Sequence, residues 1–161
     1  MHGGFHENNL RSGTENIAGI VGFGKAAEIV NSEHLTFLRQ LQSNLITGFQ
    51  NSISDFKING SVDRSKRLIN NVNISFDRIE GESVVLHLDM KGVAVITGSA
   101  CFSRSLEPSY VMMAMGYSHE RAHGSIRFSL SRFTQKEDID IVVNACSEVV
   151  DTLRRISPIK S

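Results

Sequence analysis

The sequence has no excess of charge of either sign. Seventeen Lys and Arg balance seventeen Asp and Glu, for a formal net charge of zero. A general nucleic-acid binder carries a basic surplus, so that class is not expected. No apolar run reaches the ~20 residues of a membrane span, and a soluble chain is expected. The start, Met1-His2-Gly3-Gly4-Phe5-His6, is neither basic nor followed by an apolar core, so it does not read as a signal peptide. Two cysteines, Cys101 and Cys146, are too few for a disulfide framework, which makes a reducing cytoplasm the expected compartment. Tryptophan is absent and there are two prolines, neither of which narrows the class. What is present is ordinary globular composition: 161 residues, 40% apolar and 21% charged, the size of one domain.

The first thirteen residues are rich in Gly and Asn and read as loop. Thr14 can cap a helix running to about Asn31, with Ile17, Ile20 and Val21 on one stripe. Gly19, Gly22 and Gly24 each weaken that helix by up to ~1 kcal/mol, a cost that close approach of another backbone would offset. Ser32 can cap a second helix to about Gln50, with Leu35, Leu38, Leu41, Leu45 and Phe49 as its stripe. From Asp55 the period changes. Short strands are predicted over 56–58, 71–79, 93–97 and 125–132, with a charged loop over 63–67. Residues 82–90 favour a short helix over a strand. Pro108 suits the first turn of a helix ending near Gly116. Thr134-Gln135-Lys136-Glu137 reads as a capping box. It opens a long helix carrying Ile139, Val142, Val143, Cys146, Val149, Val150 and Leu153 on one face, with Arg154-Arg155 at its negative end. The pattern predicts an α+β, two-layer domain with a small, mainly antiparallel sheet and a long C-terminal helix.

The two cysteines differ in setting. Cys146 lies on the apolar stripe of the last helix and reads as a small core hydrophobe. Cys101 follows a predicted strand in Thr97-Gly98-Ser99-Ala100-Cys101-Phe102-Ser103-Arg104. Small residues precede the thiol and a cation follows it, an arrangement that can expose a thiol and favour its nucleophilic thiolate. On these residues alone, an exposed cysteine without a role fits equally well. Arg127 alone reads as a surface arginine of an edge strand.

Gly98-Ser99-Ala100-Cys101, followed after five residues by Glu107-Pro108-Ser109-Tyr110-Val111, resembles the catalytic-cysteine loop of cysteine desulfurases of the NifS/IscS type. These are pyridoxal-phosphate enzymes of the class V aminotransferase family. Met1-His2-Gly3-Gly4 through Arg11-Ser12-Gly13-Thr14 resembles that family's glycine-rich stretch, with Phe5 in place of a third Gly and Asn8-Asn9 in place of Arg-Gly. Gly124-Ser125-Ile126-Arg127-Phe128-Ser129-Leu130 through Arg132-Phe133-Thr134 resembles its C-terminal strand and the helix entry after it.

The resemblance implies the small domain of a fold-type I pyridoxal-phosphate enzyme. Residues 1–13 would form an active-site loop segment, 14–50 helices, and 55–161 an α/β core with its catalytic loop at 98–106. The family removes sulfur from L-cysteine, giving L-alanine and a persulfide on the enzyme. Cys101 matches the nucleophile, and the spacing to Glu107 resembles the variant with a mobile, sulfur-delivering loop. Arg127 matches the arginine that binds the substrate carboxylate, while Arg132 is expected to be structural. Thr14 matches a contact to the phosphate of pyridoxal 5'-phosphate in the neighbouring subunit of a homodimer. A sulfur-acceptor or iron–sulfur scaffold protein is the implied partner. The family's Ser-x-His-Lys segment, with its Schiff-base lysine, has no match among the six lysines at 25, 57, 66, 91, 136 and 160. The chain therefore reads as the C-terminal part of such an enzyme, as a fragment, a split-gene product or a truncated frame, and is expected to be inactive without the cofactor-binding large domain. The alternatives are a non-catalytic remnant, a thiol sulfur carrier, or unrelated redox chemistry at Cys101.

His119-Glu120-Arg121-Ala122-His123 fits the H-E-x-x-H zinc pattern. It has room for about two helical turns and no evident third ligand, so no metal site is expected. Asn59-Gly60-Ser61 and Asn73-Ile74-Ser75 are glycosylation sequons only in a secreted protein.

Overall fold

The computed structural model describes residues 2–30, 32–61, 63–97 and 108–158. They form two compact units, residues 1–34 and 35–161.

The first unit holds a 3-10 turn, Glu7–Asn9, and helix α1, Ile17–Glu28. Glu7, Asn8 and Asn9 have φ of 49°, 54° and 67°. That left-handed region suits Asn better than most residues other than glycine, which accounts for the Asn pair standing there. The cap of α1 is Asn16 and not Thr14: its side chain accepts a hydrogen bond from Gly19 N at 3.0 Å. The helix starts correspondingly later. No residue of α1 is buried, and Ile17, Ile20, Val21 and Phe23 are exposed. A side chain at Gly22 or Gly24 would meet nothing within 4 Å, so among the described residues no other backbone approaches these two glycines closely.

In the second unit a different kind of close contact occurs, glycine against a side chain. Helix α2, Ser32–Ser52, carries Gly48, where a Cβ would stand 2.6 Å from Val143 Cγ2. Val143 belongs to the long helix α6, Lys136–Ile156. Glycine lets α2 and α6 pack tightly at that point. Between them come β1 (Phe56–Ile58), β2 (Asn71–Phe76), α3 (Gly81–Asp89), β3 (Ile96–Thr97), α4 (Tyr110–Ala114), α5 (His119–His123) and β4 (Ser125–Ser129). The favoured helix at 82–90 is therefore α3, and the short strand at 56–58 is β1.

Several predicted boundaries shift: the strand over 93–97 is only Ile96–Thr97 and the strand over 125–132 ends at Ser129, and three further shifts have local reasons. β2 ends at Phe76, before a turn in which Arg78 takes φ 71°. Pro108 precedes α4, whose cap position is Ser109. The capping box of α6 is Gln135 with Asp138, one residue later than read from sequence. Thr134 Oγ1 accepts from Ser131 N at 3.0 Å, which commits it to the preceding turn.

The sheet is antiparallel throughout, in the order β1-β2-β4-β3, so the α+β architecture with an antiparallel sheet and a long final helix is as predicted. Alternation divides the strands. Val72, Ile74, Phe76, Ile126 and Phe128 are buried and form one core with residues of α2, α3 and α6. Phe49 sits at its centre, 6.3 Å from Phe76 and 5.2 Å from Phe128, ring centroid to ring centroid. Gln42 of α2, itself buried, donates to Leu68 O and Asn71 O, both at 3.0 Å, and ties the helix to the entry of β2.

Cys146 lies in this core with no exposed surface, and burial pushes its thiol pKa up to about 12. The neutral thiol is the stable form throughout the neutral range. The unfolded thiol ionises near ~8.5, so the native state holds the proton longer than the unfolded state. The stability contribution is complete below about pH 8.5 and is lost as pH rises from there toward 12. Urea unfolding between pH 7 and 10 should show this decline, and Cys146→Ala should remove it. An unchanged slope in the variant would assign the decline to other groups.

Candidate active site

The second face of the sheet is polar. Directly opposed residues of an antiparallel pair share a face. Asn73 of β2 stands opposite Arg127 of β4, and Arg127 stands opposite Ile96 of β3. On the other side Asn59 N donates to Asn73 O at 2.8 Å, continuing the ladder beyond β1. One row thus crosses the sheet: Asn59, Asn73, Arg127, Ile96. Ile126 and Phe128 turn into the core, so Arg127 between them projects to the opposite side. β4 lies between β2 and β3, so Arg127 is on an interior strand and is not an edge-strand surface residue.

Its guanidinium is half-buried, and its Nε is buried without a hydrogen-bond partner among the described residues. Among those residues it forms no ion pair either. A buried donor left unpaired costs roughly 1–3 kcal/mol, more when charged, so such a group calls for an acceptor. A carboxylate meets that need, because it can take two parallel N–H bonds from the planar fork.

Arg121 shows the opposite condition. Its Nε donates to Asn59 Oδ1 at 2.8 Å and its Nη2 to Ile58 O at 3.0 Å, and its guanidinium lies 3.8 Å from the centroid of the Tyr117 ring. Tyr117 in turn accepts from Gly60 N at 3.0 Å. Asn59 Nδ2 donates to Asn73 Oδ1 at 2.6 Å and Ser75 Oγ at 2.7 Å, and Ser75 Oγ donates to Arg121 O at 2.6 Å. This network fastens α5 over one end of the polar face. Sequence reading passed over it. The available signal was two asparagines, Asn71 and Asn73, on one face of a strand, where Asn is disfavoured unless its amide has work.

Cys101 and the whole segment 98–106 lie outside the described residues. Thr14 is exposed in the first unit, two residues before the Asn16 cap. Arg132 is exposed, with its guanidinium 4.7 Å from the Phe133 ring centroid, a surface contact and not a buried structural one. The H-E-x-x-H residues make up α5, a five-residue helix on which His119, Glu120 and His123 are all exposed. Among the described residues no group of three His, Cys, Asp or Glu could hold a metal ion.

A family model for class V aminotransferases matches residues 5–142. The chain belongs to the class V aminotransferase family. Among curated class V relatives it is 49% identical to the cysteine desulfurase IscS of Dictyoglomus turgidum over 163 aligned residues, covering 99% of this chain and 41% of that protein. It is 46% identical to the cysteine desulfurase IscS of Clostridium botulinum strain Hall over 162, again 99% and 41%. In structure it resembles a NifS-like protein of Rickettsia africae, with a TM-score of 0.76 at 29% identity over 94% of this chain and 39% of that one. The chain thus spans about two fifths of the length of these relatives.

Class V aminotransferases and cysteine desulfurases are in general pyridoxal-phosphate enzymes, and the residues here can be tested for that cofactor. A lysine that condenses with the cofactor aldehyde needs burial or a like charge to free its amine. Lys25, Lys57 and Lys91 are exposed and paired with Glu28, Asp77 and Glu148 at 3.0, 3.3 and 2.6 Å. Lys66 and Lys136 are exposed as well. None of the described lysines fits, so these residues do not by themselves make a pyridoxal-phosphate site. Titrating the 161-residue chain with pyridoxal phosphate should produce no saturable visible absorbance band. A saturable band abolished by changing one specific lysine would overturn that expectation.

Proposed function

We propose that these residues are the substrate-carboxylate and sulfur-accepting part of a cysteine desulfurase, acting with a pyridoxal 5'-phosphate-binding portion that corresponds to the rest of the relatives' length. The observation that carries this reading is the Arg127 guanidinium, uncommitted among the described residues and one strand away from the segment that leads to Cys101. Thr97, beside Ile96 in β3, pairs with Ile126, and Cys101 follows four residues later. Four extended residues span at most ~14 Å, so the chain can carry Cys101 no farther than that from Thr97. L-cysteine presents a carboxylate that an arginine can hold and a sulfur that a thiol can accept, which is the pair of roles this reading assigns.

In this reading Arg127 binds the carboxylate and orients the substrate, and the Cys101 thiol accepts the sulfur. The overall balance is one thiol and one L-cysteine giving one persulfide and one L-alanine, with no external oxidant or reductant. Cleavage of the carbon–sulfur bond needs the electron-sink chemistry that pyridoxal phosphate supplies when bound. Thr14 is the proposed contact to the cofactor phosphate of the second subunit of a homodimer. The persulfide passes to a sulfur-acceptor or iron–sulfur scaffold protein. A cytoplasmic setting fits, and among the described residues no helix is long and apolar enough to cross a membrane.

The test is a single turnover of the complete enzyme with L-cysteine, followed by mass analysis of peptides under non-reducing conditions. One additional sulfur on the peptide containing Cys101, matched by one L-alanine, is the expected result. L-alanine without sulfur on Cys101 would remove the thiol from the reaction. No L-alanine from an enzyme with full cofactor would favour the non-catalytic sulfur-carrier reading.

A further inference from the structure

We infer that Asn73 is a second carboxylate-binding residue, its side-chain amide donating to the substrate carboxylate beside Arg127; this rests on the reading of Arg127 as the carboxylate anchor. The inference follows from the direction of each hydrogen bond in the Arg121 network. A guanidinium nitrogen can only donate. The side-chain atom of Asn59 that Arg121 Nε meets at 2.8 Å must therefore be the oxygen. That turns Asn59 Nδ2 toward Ser75 Oγ and Asn73, at 2.7 and 2.6 Å. Ser75 Oγ spends its own proton on Arg121 O, so it can accept from Asn59. The atom of Asn73 that meets Asn59 Nδ2 must in turn be its oxygen. The orientation of the Asn73 amide is thereby set by a charge two residues away in the network. Its NH2 group is left pointing away from Asn59, with no acceptor among the described residues.

Asn73 is the direct cross-strand neighbour of Arg127 and shares its face. Both side chains are half-buried. Two donor groups, one charged and one neutral, thus stand side by side with unspent N–H bonds, and neither offers an acceptor on that side. This is the complement of a carboxylate, which accepts at two oxygens and donates at none. Arg121 and Asn59 are positioning residues in this scheme. They hold the Asn73 amide in the donating orientation, which a free asparagine would adopt only part of the time.

The test uses the complete, cofactor-loaded desulfurase, with KM and kcat for L-cysteine and the inhibition constants of L-alanine and ethylamine. Ethylamine is L-alanine without its carboxylate. Removing a hydrogen bond to a charged group should weaken carboxylate ligands about ten- to hundredfold. Asn73→Ala should therefore raise KM for L-cysteine and the inhibition constant of L-alanine by that factor. It should leave ethylamine unchanged and kcat within about twofold. Asn73→Asp, equal in size but acidic, should raise both constants further, and it carries the same test if Asn73→Ala folds poorly. Unchanged constants for L-cysteine and L-alanine in Asn73→Ala, with Arg127→Ala impaired, would overturn this inference alone. An equal rise for L-alanine and ethylamine would make Asn73 merely structural and overturn it too. Unchanged constants in Arg127→Ala would remove the anchor itself, and with it the reading on which the inference depends.

Discussion

Cys101→Ser is expected to abolish L-alanine and persulfide formation by the complete enzyme, a fall of at least about a thousandfold in turnover. A serine hydroxyl is a far weaker nucleophile at neutral pH and cannot hold sulfur as a persulfide. Cys146→Ser should leave turnover nearly intact, since that thiol lies in the core with its pKa raised to about 12. Its cost falls on stability, about 1–2 kcal/mol for a buried hydroxyl without a partner. The measurement is steady-state L-alanine formation beside cofactor occupancy and urea unfolding for both variants. Equal loss of turnover in both, with both folded, would mean that the roles of the two thiols are wrongly assigned.

Arg127→Ala should lower kcat/KM for L-cysteine by about 2–4 kcal/mol, or roughly thirty- to a thousandfold. Most of this should be a rise in KM, with a fall in kcat to the extent that the anchor also aligns the sulfur. Arg127→Lys should recover only part of the loss, because a point charge does not reproduce the planar fork. The variant has one further diagnostic property. Arg127 Nε is buried and has no hydrogen-bond partner among the described residues. Among the described residues the side chain makes no hydrogen bond, so its removal should not lower stability while binding collapses. Arg132→Ala, at an exposed position over Phe133, should leave KM at its starting value. Wild-type KM and kcat in Arg127→Ala would refute the assignment of the carboxylate to this residue.

Strong periodicity made much of the fold legible from residues alone. The stripe Ile139, Val143, Cys146, Val149, Val150 and Leu153 is buried along α6, and Leu38, Leu41, Leu45 and Phe49 are buried along α2. Each stripe repeats at the helical period, and that spacing by itself dictates which face leaves water. The alternation of Val72, Ile74 and Phe76 was readable for the same reason. Caps were less legible. Thr14 and Asn16 both have capping chemistry, as do Thr134 and Gln135, and the choice depends on backbone angles that neighbouring turns impose.

The site divides along the same line. The residue types were set in the sequence: an arginine flanked by apolar alternation, and a thiol among small residues. Strand order was not, and strand order decides what Arg127 can do. Placing β4 between β2 and β3 turns a plausible surface arginine into a half-buried one with Asn73 on one side and the strand leading toward Cys101 on the other. The orientation of the Asn73 amide comes from Arg121, forty-eight positions later in the chain, acting through Asn59. Hydrogen-bond direction propagates through space from one donor to the next acceptor, and no spacing along the chain encodes it, so only the folded sheet could reveal it.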